Sequence, residues 1–125
     1  MPALTDIGKY KRLAELLVIT LKTDMVITAE QNNIALQGLM DFGLSERQAE
    51  QFMNTAFENL DRGLTKSPRE VLDGVATAFR FVDHGYILGL LQAILERKGL
   101  SDKIQRYFDV CCEYLYHSDT PPAPE

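Results

Sequence analysis

The chain contains no tryptophan, and it has only two histidines and two cysteines. Its longest dense apolar run, Leu16–Leu21, is far short of the roughly 20 residues that cross a bilayer, so membrane insertion is not expected. Met1–Tyr10 shows neither the basic stretch nor the apolar core of a signal peptide, which makes the cytoplasm the expected location. Cys111 and Cys112 are neighbours with no second pair, so a disulfide framework is excluded. They read as two reduced thiols, with a vicinal-thiol redox or metalloid site as the alternative. His84 and His117 are the only histidines, one at a predicted loop and the other next to the tail, and the nearness of His117 to Cys111 and Cys112 reads as a coincidence of sequence; the chain does not read as an enzyme. Positive charge is also scarce. Thirteen basic residues face 18 acidic ones, for a net charge of −5. A nucleic-acid partner is therefore not expected, because phosphate binding calls for concentrated positive charge. Cations and basic protein surfaces fit better.

What is present is helix punctuation. Thr28 is followed three residues later by Gln31, Ser45 by Gln48 and Ser67 by Glu70, three capping-box patterns, the last with Pro68 in the first turn. Gly43 and Gly99 stand where helices should stop. These signals predict six helices, near 6–22, 29–41, 46–60, 68–82, 86–98 and 102–116. The third carries one apolar stripe (Ala49, Phe52, Met53, Ala56, Phe57, Leu60), and the first is apolar almost all round, as a central helix would be. No period-2 alternation announces strands. The expected fold is all-α, a single compact bundle over residues 1–117 followed by a disordered proline-rich tail over 118–125.

The sequence also echoes itself. Gly43-Leu44-Ser45-Glu46-Arg47 and Gly99-Leu100-Ser101-Asp102-Lys103 match in chemistry at every position, with Phe52 and Phe108 at the same offset. Ile34 and Leu39 likewise match Leu90 and Leu95. Two related helical hairpins, each preceded by a further helix and packed about a pseudo-twofold axis, are expected.

The stretch Ala14–Phe52 resembles the tellurite-resistance TerB-like domain. Asp24, Ile27 and Thr28 fit that family's loop into its second helix, and Gly43-Leu44-Ser45 fits its entry to the third. Met25 stands where the family has glycine and Gln31 where it has glutamate; Gln31 can close a capping box but supplies no carboxylate. Val75–Leu115 resembles the other half of the family more loosely, with Asp83-His84-Gly85 near its second acidic loop. The resemblance implies an all-helical binding or sensing module of stress-response and membrane-proximal assemblies, not an enzyme.

Two sets of site residues follow. Asp24, Glu30, Asp83 and His84 could converge as a divalent-cation site at two helix-entry loops, although Asp24 and Asp83 also suit helix starts for electrostatic reasons. No other cofactor is indicated. Tyr10, Phe42, Phe81, Tyr86, Tyr114 and Tyr116 fall at the edges of the apolar stripes or outside them, as anchors for a protein partner or a second copy of the chain would. Two weaker candidates are a helix-turn-helix at Gly43-Leu44-Ser45, whose second helix is too acidic for DNA, and an anion site among Arg97, Lys98, Lys103 and Arg106, which reads better as solvated surface. The expected function is a non-enzymatic helical interaction module; the alternative is a cation-binding sensor.

Overall fold

The computed structural model describes residues 4–23, 26–99 and 101–117. Six helices follow one another: α1 Leu4–Leu21, α2 Ala29–Asp41, α3 Glu46–Asp61, α4 Pro68–Ala78, α5 Phe81–Glu96 and α6 Asp102–His117. No strand occurs among the described residues. The tail from Ser118 onward lies outside them.

Local chemistry sets most of these boundaries. All three capping boxes form: Gln31 N–H donates to Thr28 Oγ1, Gln48 N–H to Ser45 Oγ and Glu70 N–H to Ser67 Oγ, and each returning side chain accepts from the cap's own backbone. A fourth cap, Ile104 N–H to Ser101 Oγ at 3.2 Å, starts α6. Gly43 (φ 116°) and Gly99 (φ 88°) close α2 and α5 in the left-handed region, where a side chain would be strained. Beyond Gly43, Leu44 turns into the core.

One boundary departs from expectation. The fourth helix was expected to reach residue 82 and the fifth to begin at 86. Instead α4 ends at Ala78, Phe79 and Arg80 are extended, and α5 begins at Phe81. Asp83, His84 and Gly85 are therefore helical, not a loop. The bend contains neither glycine nor proline, and Arg80 forms no side-chain cap. Tertiary contacts make it. Phe79 is buried, and the His84 ring reaches back to the Ala76 and Phe79 carbonyls, both at 3.1 Å from Nε2. Those are carbonyls that the end of α4 leaves without a helical partner.

Helix α1 is the central element, packed against α2, α3, α4 and α5. Its Leu13, Leu16, Leu17 and Leu21 are fully enclosed. The two halves pair in related ways: α3 packs on α1 and α2, as α6 packs on α4 and α5, and the halves meet through α1 on α4 and α2 on α5. At the second of these seams a Cβ on Gly38 would stand 2.4 Å from Leu90 Cδ1, so Leu90 packs into space that the glycine leaves open.

Candidate functional site

The α4–α5 bend brings aromatic residues from three segments to one end of the bundle. Phe42, the residue closing α2, meets the Phe79 ring edge-on at 4.9 Å and the Tyr86 ring at 5.5 Å. Phe79 belongs to the core, whereas Phe81, Val82 and Tyr86 remain 44%, 70% and 43% exposed. All three occupy the first turns of α5, which buries Ile87, Leu88 and Leu91 further along. The first turns of α5 thus carry apolar side chains out into solvent.

Polar groups frame this face. The Tyr86 hydroxyl donates to the Asp41 carboxylate, which also accepts from Gln37 Nε2 at 2.8 Å. Those two donors hold the Asp41 carboxyl below its ordinary range. Burial, reinforced by Asp41, pushes the Tyr86 phenol up to about 12. Lys9 Nζ lies 5.0 Å from the Phe79 ring centroid and 5.7 Å from that of Tyr10, within cation–π range. Arg80 and Asp83 sit 3.9 Å apart at the outer edge.

Of the six aromatic candidates, Phe42 and Tyr86 meet here, and Phe81 begins the same helix with its ring 6.4 Å from that of His84. Tyr10 is corrected: it is buried, and its hydroxyl donates to the Phe42 carbonyl at 2.6 Å, so it supports the face from below. Tyr114 stands apart on α6, half-buried, with the Arg69 guanidinium 5.9 Å from its ring centroid. The Tyr116 side chain lies outside the described residues. Val82 and Phe79 were missed. The signal was available in Phe79-Arg80-Phe81-Val82, where apolar residues occur on both sides of any single helical stripe.

The metal candidates are not brought together. Asp24 lies outside the described residues. Glu30 pairs with Arg97 at 3.1 Å, beside the end of α5, while Asp83 and His84 stand at its start. At 1.5 Å per residue those positions are roughly 20 Å apart. His84 is wholly buried, with Nδ1 against the Leu115 carbonyl and Nε2 against those of Ala76 and Phe79. Whichever nitrogen carries the proton, both edges of the ring are closed off by backbone carbonyls, which leaves an ion no open approach. Among the described residues no group of three or more histidine, cysteine or acidic side chains is placed to hold an ion.

The thiols are equally committed. Burial pushes Cys111 up to about 12 and also raises Cys112, so neither is a thiolate nucleophile at neutral pH. The basic turn disperses as well: Arg97 binds Glu30, Lys98 donates to the Val26 carbonyl, and Arg106 donates to the Asp102 carbonyl. Only Lys103 of that group keeps no partner among the described residues. No family model matches the chain, and neither a curated protein nor a solved structure matches it.

Proposed function

We propose that this chain is a TerB-like helical interaction module that holds a protein partner through the aromatic face at the start of α5. One observation carries the reading: the first turns of α5 expose Phe81, Val82 and Tyr86, and Tyr86 is held against Phe42, which in turn rests on Phe79 and Tyr10. Interfaces draw most of their affinity from a few aromatic and apolar anchors within a polar rim. Asp41, Lys9, Arg80 and Asp83 supply such a rim. Rings already held by neighbours lose little side-chain freedom on binding, which favours affinity.

Several features support a binding role over a catalytic one. The face contains no nucleophile with an adjacent base, and both thiols are held in their neutral form. Net acidity, with Glu46, Glu50 and Glu58 along α3, disfavours nucleic acid as the partner. No helix among the described residues is long and apolar enough to cross a membrane. A cytoplasmic stress-response assembly is the setting that the TerB-like resemblance suggests. The cation-sensor alternative has less support, since its ligands are divided between the two ends of α5.

The test is photo-crosslinking in cells, with a benzophenone side chain in place of Val82 or, as the control, of exposed Gln105. The reading expects a discrete adduct from position 82 alone, lost when Phe81 is replaced by serine. Equal labelling from both positions would sink it.

A further inference from the structure

At the other end of α1, a second concavity has the opposite character. Ile19, Lys22 and Thr23 from the end of α1, Leu60 of α3, Lys66 from the α3–α4 connection, Pro68 at the start of α4, and Lys103 and Tyr107 of α6 line an open concavity of about 310 Å³. That volume is near the lower limit of ordinary ligand pockets, roughly 300–1,000 Å³. Three lysines, from three separate parts of the sequence, line it.

Their commitments differ. Lys22 Nζ donates to the exposed Asp61 carboxylate at 2.6 Å. Lys66 and Lys103 are exposed and have no partner among the described residues. Between the ammonium groups the walls are apolar, formed by Ile19, Leu60 and Pro68. The Tyr107 hydroxyl shares a hydrogen bond with buried Thr20 at 2.7 Å, so its ring is fixed as part of the wall. Next to Lys66, Thr65 Oγ1 is the one buried side-chain oxygen or nitrogen among the described residues that lacks a hydrogen-bond partner.

Lys66 and Lys103 thus bring positive charge to a mostly apolar concavity in a chain of net charge −5. Such a pair favours an anion by direct attraction, and the walls favour one with an apolar body. We propose that this pocket binds a small amphipathic anion, an organic phosphate or carboxylate with an alkyl or aryl body. Lys66 and Lys103 hold its charged group, while Ile19, Leu60, Pro68 and the Tyr107 ring hold the body. Lys22 contributes field and is largely occupied by Asp61. This site is independent of the aromatic face, so the two readings stand or fall separately.

The experiment is a titration of the ¹⁵N-labelled full chain with octyl phosphate, with inorganic phosphate and octanol as single-feature controls. Saturable shifts are expected at Ile19, Leu60, Lys66, Lys103 and Tyr107. Either control should bind at least roughly tenfold more weakly, as should octyl phosphate to Lys66→Gln/Lys103→Gln. Added salt should weaken binding too, because the ammonium groups are exposed. Both substituted lysines are exposed, and an unchanged circular-dichroism melt verifies that the variant folds. Absence of saturable shifts, octanol binding as tightly as octyl phosphate, or undiminished binding by the double variant would each overturn the proposal. Phosphatidylglycerol vesicles form a separate arm. Vesicle binding without a response to octyl phosphate would replace the pocket with a membrane contact, and overturn it too.

Discussion

The two ends of α1 present surfaces built on different principles. At its start, Lys9 and Tyr10 belong to an aromatic assembly whose exposed members rest on buried ones. At its end, Lys22 joins two lysines that touch little besides solvent and pocket walls. The aromatic face extends the core outward, so altering its support alters the fold. The lysine pocket is a charge pattern laid on a finished fold. Stability should therefore respond strongly to substitution at the first end and hardly at all at the second.

The widest separation should come from Phe79→Ala. Removing a buried ring that contacts Phe42 and holds the α4–α5 bend should cost about 3–5 kcal/mol in urea denaturation. Native-like stability in that variant would break the contrast. Alkaline pH should have the next largest effect. Cys111 and Tyr86 are both raised to about 12, so the folded state retains protons that the unfolded chain loses near 9 and 10. Their contribution is fully present below those values and is lost as pH rises toward 12. Urea midpoints should fall across that window, and Cys111→Ala should flatten the decline. An unaltered slope would show that the thiol is not the cause. The smallest effect belongs to Lys66→Gln/Lys103→Gln, expected to stay within about 0.5 kcal/mol of the parent. A larger change would mean that these lysines support the fold.

What could be read from the sequence is what depends on near neighbours. The capping boxes and glycine stops act over three or four residues, and four of the six helices begin or end where those signals stand. Phe42, Phe81 and Tyr86 were legible because they fall off the apolar stripes. The α4–α5 bend was not, because its causes are the burial of Phe79 and a ring on the following helix. His84 was taken for a surface ligand on the strength of its neighbours Asp83 and Gly85, but its partners come from α4 and α6. Tyr10 looked peripheral near the chain's start, until the Phe42 carbonyl, far along the sequence, gave it a buried partner. The lysine pocket shares that obscurity: Lys22, Lys66 and Lys103 have nothing in common until the helices assemble.

The His84 bracket has a consequence for how the molecule comes into being. Neither Phe79 nor Arg80 is a helix breaker, and one carbonyl that meets the imidazole belongs to Leu115, near the end of the last helix. While that helix is still being synthesised, His84 has the Ala76 and Phe79 carbonyls within reach but lacks the Leu115 carbonyl, one of the three that enclose its ring. The enclosure of the ring is therefore complete only when α6 docks beside the corner. A copy cut short before Leu115 should therefore hold His84, and the corner beside it, less firmly than the full chain.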